Sequence, residues 1–81
     1  MAGLKKRSVN LNGHATSVAL EPEFWAVLDD MARERRMSSA ALIAELDLAR
    51  GDHLLASFCR LNALGHALNE GQGRKKTKQW A

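Results

Sequence analysis

The sequence predicts a mainly α-helical chain that begins with a short β ribbon. Two runs in which apolar and polar residues alternate lie on either side of Asn12-Gly13. Pro22 then marks a change from a two-residue period to the spacing of a helix. Two more segments with apolar residues at helical spacing follow, and each is preceded by a residue type that caps helices.

The ribbon is predicted to be a hairpin. Asn12-Gly13 favours a two-residue type I′ turn, because both residues tolerate a positive φ. In the resulting register Val9 lies opposite Thr16 and Ser8 lies opposite Ser17. The apolar face, which we expect on the core side, consists of Val9, Leu11, Thr16, Val18 and Leu20. The opposite face consists of Lys6, Ser8, Asn10, Ala15, Ser17 and Ala19.

Three helices are predicted after the ribbon. The first begins at Pro22, because proline fits the first helical turn and the flanking glutamates favour the positive end of a helix. Ser38 is the predicted N-cap of the second helix, which ends at Arg50-Gly51. Asp52 is the predicted cap of the third helix, whose apolar stripe ends before Gly71.

Positive charge is concentrated at the two ends of the chain. Residues 1–7 carry three basic residues and residues 74–81 carry four, whereas residues 8–73 carry five basic and nine acidic residues. We expect a basic arm over residues 1–7, a domain over residues 8–70 and a disordered basic tail over residues 71–81. Basic ends around an acidic body are typical of proteins whose ends contact phosphate while the body contacts protein.

The length and the cysteine count narrow the class of protein. A chain of 81 residues buries little apolar surface, so oligomerisation is expected to complete its core. Cys59 is the only cysteine, which excludes an intrachain disulfide. The sequence has neither the pattern of a secretion signal nor an apolar run long enough to span a membrane, so we expect a soluble cytoplasmic protein.

The order of these elements, together with several short motifs, resembles the ribbon-helix-helix family, to which Arc and the methionine repressor belong. The match is with a subgroup of short bacterial members and covers roughly residues 5–68. The motifs that carry it are Lys6-Arg7-Ser8-Val9, Gly13-His14, Thr16-Ser17-Val18, Leu20-Glu21, Phe24-Trp25 and Ser38-Ser39-Ala40-Ala41-Leu42.

The resemblance implies an intertwined ribbon-helix-helix homodimer, here with an additional C-terminal helix. In the family the strand before the first helix pairs antiparallel with its twin, and the paired strands enter the major groove of DNA. DNA binding and, usually, transcriptional repression are implied as well, with phosphate held by the backbone amides of Ser38, Ser39 and Ala40. Free N–H groups and the helix dipole favour an anion at the start of any helix.

Two sets of contact residues follow. Besides the start of the second helix, we expect DNA to be contacted by Lys5, Lys6, Arg7, Ser8, Asn10 and Ser17. We expect the dimer interface to contain Val18, Leu20, Phe24, Trp25, Leu42 and Leu46. Arg35 and Arg36 either complement the dipole of the first helix or contact phosphate.

The predicted hairpin adds a strand to the simplest ribbon. The outward side chains of its second strand are small, and only Ser17 can hydrogen-bond to a base. A hairpin in each subunit would give a four-stranded sheet in the dimer. Either residues 5–11 then widen the contact surface, or residues 1–11 form a flexible basic arm that inserts Arg7 into the minor groove.

Other classes of function have less support in the sequence. An enzyme is not expected, because the chain has no glycine loop for phosphate and no nucleophile paired with a base. Cys59, His53 and His66 lack the spacing of metal ligands, so neither a metal nor another cofactor is expected. One alternative is an antitoxin-like or adaptor module that binds a protein partner through residues 52–69. Another is a structural dimer that has lost DNA binding.

Overall fold

The computed structural model of the chain describes residues 3–75 and the side chains of residues 3–69. The predicted architecture, a β ribbon followed by helices, is confirmed. The elements are β1 (Lys5–Leu11), β2 (His14–Leu20), α1 (Pro22–Glu34), α2 (Ser39–Ala49) and α3 (Leu55–Lys75). None of the helices in this part of the chain is long and apolar enough to cross a membrane.

Strands β1 and β2 form the predicted hairpin. Asn12 and Gly13 have φ values of 53° and 86°, the positive values that a type I′ turn requires. The Asn10 side chain stabilises the turn, because its Oδ1 atom accepts a hydrogen bond from the Gly13 amide at 2.9 Å. Val9 lies opposite Thr16 and Ser8 opposite Ser17, so the predicted register is confirmed.

Residues 5–7 of the predicted basic arm belong to this hairpin. Lys5, Lys6 and Arg7 pair with Leu20, Ala19 and Val18, respectively. Of the two alternatives, a flexible basic arm over residues 1–11 is therefore wrong for the residues that form β1, because their backbone groups are used in the ladder with β2.

The core lies between one face of the hairpin and the three helices. It consists of Val9, Val18, Leu20, Trp25, Leu28, Ala32, Leu42, Ile43, Leu46, Cys59 and Ala63. Thr16 was expected on the core side but is exposed. All of residues 12–17 are exposed, so both faces are open at the turn end of the hairpin.

A tight connection joins α1 to α2. Arg36 follows the end of α1 with a left-handed φ of 57°, and the Met37 amide donates to the Ala32 carbonyl at 2.9 Å. This is the hydrogen bond of a Schellman motif, in which the left-handed residue is usually glycine. Ser38 then begins α2 as its predicted N-cap, with its Oγ atom accepting from the Ala41 amide at 3.0 Å.

Helix α3 begins later and ends later than expected. Asp52 lies in the turn before it, and the first helical bond runs from the Phe58 amide to the Leu54 carbonyl, so Asp52 is not its N-cap. The helix continues through Gly71 and Gly73 to Lys75, since each glycine weakens a helix by only about 1 kcal/mol. Residues 76–81 of the predicted tail lie outside the described residues.

Candidate nucleic-acid interface

The outer face of the hairpin gathers most of the predicted base-contacting side chains. It contains the cross-strand pairs Lys6 with Ala19, Ser8 with Ser17 and Asn10 with Ala15. Apart from the half-buried Ala19, these residues are exposed. The outer face therefore presents one ammonium group, two hydroxyl groups and one amide group, all of which can hydrogen-bond to DNA.

The longer polar side chains of this face come from β1, whereas β2 contributes two alanines and Ser17. The Oδ1 atom of Asn10 is already used by the Gly13 amide, so its Nδ2 group is the part that can donate to a base. An alanine on such a face can contact only the methyl group of a thymine. Strand β2, which precedes α1 in the sequence, thus carries fewer base-reading groups than β1.

Strand β2 has an open edge. Within the described residues the sheet has two strands, so β1 covers one edge of β2 and no strand covers the other. Residues that flank a two-residue turn form a hydrogen-bonded pair, and such pairs alternate along the ladder. The backbone groups of Ala15, Ser17 and Ala19 are therefore directed toward the open edge. An edge with unpaired amides favours the addition of another strand.

A groove runs beside this open edge, between the hairpin and the junction of α2 with α3. Its walls include Val18, Ala19, Asp47, Arg50 and Leu55. The groove combines apolar and charged groups and continues the surface of the β2 edge.

The N-terminus of α2 has the geometry of an anion site. Ser38 has an extended backbone, and its hydroxyl oxygen satisfies the Ala41 amide. The amides of Ser39 and Ala40 precede the first intrahelical donor and have no acceptor in the helix. The first turn of α2 contains no acidic residue, so the helix dipole there is not compensated from within α2.

A charged cluster connects this helix start to the ribbon. Asp29 of α1 accepts a hydrogen bond from the Ser39 hydroxyl at 2.6 Å. It also accepts two hydrogen bonds from the Arg7 guanidinium, at 2.8 and 3.1 Å. Arg7 lies 4.3 Å from the centre of the Trp25 ring, and the Trp25 Nε1 atom donates to the Lys5 carbonyl oxygen at 2.7 Å.

The ionisation of the cluster follows from these contacts. The hydrogen bonds with Asp29 raise the pKa of Arg7. The hydrogen bonds from Arg7, and then that from Ser39, lower the pKa of Asp29 although partial burial opposes the change. Both groups are therefore charged at neutral pH.

The three basic residues predicted to contact phosphate do not share one face. Only Lys6 is on the outer face, because Arg7 lies opposite Val18 and Lys5 lies opposite Leu20 on the inner face. The Arg7 side chain is directed to α1 and paired there with Asp29. The inner position of Arg7 could have been predicted from the sequence, since the predicted register already places Arg7 opposite the apolar Val18.

The two arginines at the end of α1 have different surroundings. Arg35 forms an ion pair with Glu45. Arg36 is exposed, and no carboxylate of the described residues lies within ion-pair distance of it. Of the two, Arg36 is therefore the cation at the start of α2 whose charge is less compensated.

The six residues predicted for a dimer interface lie in or against the core of the chain itself. Leu20 and Leu42 are 0% exposed, and Val18, Trp25 and Leu46 are also buried. Phe24 is partly buried against them. Leu20 and Leu42 therefore offer no surface to a second chain in this conformation. The resemblance implied pairing through the edge of β2, whereas the groove beside that edge was not identified from the sequence.

A metal-binding cluster is not assembled in the described part of the chain. No three of its His, Cys, Asp or Glu side chains are grouped so as to hold a metal ion. Burial raises the pKa of the Cys59 thiol to about 11, so Cys59 is a protonated core residue.

Comparisons with known proteins agree with this geometry. A family model described as ribbon-helix-helix domain matches residues 4–67. The chain is also similar to the solved structure of an uncharacterized protein from Bordetella pertussis Tohama I, with 35% sequence identity and a TM-score of 0.78. The similarity covers 90% of this chain and 62% of that protein, so the chain spans less than two thirds of its relative's length. No curated protein matches the sequence significantly.

Proposed function

Because the chain belongs to the ribbon-helix-helix domain family, we propose that it is a homodimeric DNA-binding regulator of transcription, acting as a repressor in the bacterial cytoplasm. The observation that carries the proposal is the outer face of the hairpin, where Lys6, Ser8, Asn10 and Ser17 are exposed together opposite the core face. Side chains on such a face can reach base edges in the major groove of DNA and the phosphates beside it.

The proposed dimer forms through the open edge of β2. Pairing this edge antiparallel with its twin satisfies the backbone groups of Ala15, Ser17 and Ala19 and gives a sheet of four strands. The second chain also covers the groove beside the edge, which includes Val18 and Leu55. This interface buries the β2 edge and the groove, which are exposed in the single chain. Leu20 and Leu42, which are already buried, do not have to become exposed to form it.

The width of that sheet sets how the dimer meets DNA. Neighbouring strands are about 4.8 Å apart, so four strands span about 14 Å, whereas the major groove is about 12 Å wide. The two central β2 strands therefore face the bases, and the outer β1 strands lie along the phosphates at the groove walls. In this arrangement Ser17 reads bases, while Lys6 and Ser8 contact the backbone.

The two α2 N-termini hold phosphates on either side of the groove. Their free Ser39 and Ala40 amides supply the hydrogen bonds, and Arg36 adds an exposed positive charge next to them. Since most of these contacts are with the backbone, we expect strong salt dependence and modest sequence selectivity.

Selection of bound sequences from a random duplex pool at moderate salt tests the proposal. Enrichment of a palindromic motif with two half-sites supports a specific dimeric regulator. Binding that is retained without enrichment restricts the function to nonspecific or partner-dependent binding. No binding even at low salt contradicts the proposal and favours a purely structural dimer.

A second candidate function, that of an antitoxin-like or adaptor module, is favoured by one observation on α3. Leu61, Leu64 and Leu68 lie on one helical face and are 50–55% exposed. A photo-crosslinking residue at position 64, compared in cells with one at the exposed position 45, tests this candidate. A single heterologous protein captured only at position 64 supports it, and crosslinking only to a second copy contradicts it.

A further inference from the structure

We propose that Arg7 promotes phosphate binding at the start of α2 indirectly, by neutralising Asp29, rather than by contacting DNA. The inference rests on the proposed function, because it concerns the same phosphate site. Asp29 lies beside that site, since it accepts a hydrogen bond from the Ser39 hydroxyl at 2.6 Å. An uncompensated carboxylate at this place repels a phosphate that approaches the amides of Ser39 and Ala40.

The geometry fixes Arg7 in the neutralising position. Its two terminal nitrogens donate to the two carboxylate oxygens of Asp29, at 2.8 and 3.1 Å. This fork of parallel hydrogen bonds is the strongest arrangement between the two groups. The guanidinium also lies 4.3 Å from the centre of the Trp25 ring, which favours a cation over its face.

Trp25 keeps this arrangement in place. Its side chain is buried, and its Nε1 atom donates to the Lys5 carbonyl oxygen at 2.7 Å. The ring is thereby tied to β1, two residues before Arg7 in the same strand. Strand β1, which the hairpin adds to the ribbon, thus places the positive charge of Arg7 against α1. There it pairs with Asp29, which is bonded to the start of α2.

The same contacts define the role of Ser39. Its hydroxyl proton is directed to Asp29, so the hydroxyl group does not donate to a phosphate at the same time. The backbone amide is the group of Ser39 that contacts the phosphate. Asp29 itself does not contact the phosphate, and its negative charge has to be balanced before the amides of Ser39 and Ala40 can bind one.

A double-mutant cycle separates this role of Arg7 from a direct contact. The affinity of the full-length protein for duplex DNA is measured by fluorescence anisotropy for the wild type, Arg7→Ala, Asp29→Asn and the double variant. Arg7→Ala should weaken binding about tenfold, as expected when a like charge near phosphate loses its partner. Asp29→Asn should bind at least as tightly as the wild type, and the double variant should match it within about twofold.

Arg60 provides a matched control. It forms an ion pair with Glu21 at 2.9 Å and lies 5.8 Å from the centre of the Phe24 ring, so its surroundings are like those of Arg7. Arg60→Ala also removes one positive charge, but at a place away from the start of α2. We expect it to change DNA affinity by less than about threefold, the effect of a distant exposed charge.

Each other outcome overturns the inference. If Arg7→Ala lowers the DNA affinity equally in the wild type and in Asp29→Asn, Arg7 contacts phosphate directly. If Arg7→Ala does not lower the affinity, Arg7 has no part in DNA binding. If Arg7→Ala fails to fold by circular dichroism, Asp29→Asn decides alone, since weaker binding by that variant means that Asp29 has only a structural role. Wild-type protein that binds no duplex at low salt overturns the proposed function as well.

Discussion

The indole of Trp25 and the carbonyl oxygen of Lys5 are joined by a hydrogen bond of 2.7 Å, which ties the first strand to the first helix. Helix α1 and strand β1 are thereby connected directly, in addition to the ladder that joins β1 to β2. The bond also keeps the tryptophan nitrogen satisfied within the core, as buried indoles require.

Trp25→Phe should therefore destabilise the chain. The variant keeps an aromatic ring but loses the donor and part of the ring surface, and we expect a cost of about 1–2 kcal/mol in the free energy of unfolding. Urea unfolding followed by circular dichroism measures this. Equal stability of the two proteins would show that the bond contributes nothing to the fold.

Proline scanning of the hairpin should distinguish its two edges. The register directs the Ser17 amide to the open edge of β2 and the Ser8 amide to the outer edge of β1. Ser17→Pro should abolish the proposed dimer, because proline removes a donor and blocks the approach of a strand. Ser8→Pro is the matched control and should remain dimeric. Sedimentation equilibrium measures both, and a dimeric Ser17→Pro protein would exclude the β2 edge as the interface.

Lys6 and Lys5 should differ in their effect on DNA binding although they are adjacent and carry the same charge. Lys6 is on the outer face of the hairpin and Lys5 on the inner face. Lys6→Ala should lower the slope of log affinity against log salt by about 2 for the dimer, one phosphate contact from each subunit. Lys5→Ala should leave the slope nearly unchanged. The opposite ranking would contradict the assignment of the outer face to DNA.

Arg36→Gly should change stability and DNA affinity in opposite directions. Glycine adopts the left-handed φ of 57° without strain, so the free energy of unfolding should rise by about 0.5–1 kcal/mol. Loss of the exposed cation should weaken DNA binding about threefold per subunit. Thermal unfolding and anisotropy provide the two readouts. Unchanged affinity would exclude Arg36 from the phosphate site.

Acid should weaken the fold partly through Asp29. Its pKa in the folded chain is below the usual 3.8, because of the hydrogen bonds from Arg7. The ionised carboxylate therefore contributes stability above that value, and the contribution is lost as the pH falls through the lower folded pKa. Asp29→Asn should be less stable than the wild type at neutral pH, and the difference in free energy of unfolding between the two proteins should become smaller at about pH 3. An equal difference in free energy of unfolding at both pH values would contradict this role of Asp29.

Local patterns in the sequence were sufficient for the hairpin, and the family resemblance is confirmed. The Asn12-Gly13 turn determines the pairing of all the residues in β1 and β2, so the register and the outer face could be predicted. The core side of the ribbon was predicted for the same reason, apart from Thr16, whose exposure depends on where the helices end.

Contacts between distant parts of the chain could not be predicted in the same way. Arg7 and Asp29 are 22 positions apart, and their pairing depends on how α1 packs on the hairpin. Charge composition assigned Arg7 to DNA, whereas packing directs it to α1. The end of α3 was missed because Gly71 was taken as the end of the helix, and its start was missed because Asp52 was taken as its cap.

The two-residue turn also limits how this chain can change over evolutionary time. Adding or deleting one residue at Asn12-Gly13 would shift the register by one and exchange the buried and exposed faces of one strand. Homologues that keep the fold should therefore vary in length at this turn only by changes that preserve the parity of the pairing. Substitutions on the outer face carry no such restriction, so binding preferences can diverge while the hairpin remains constant.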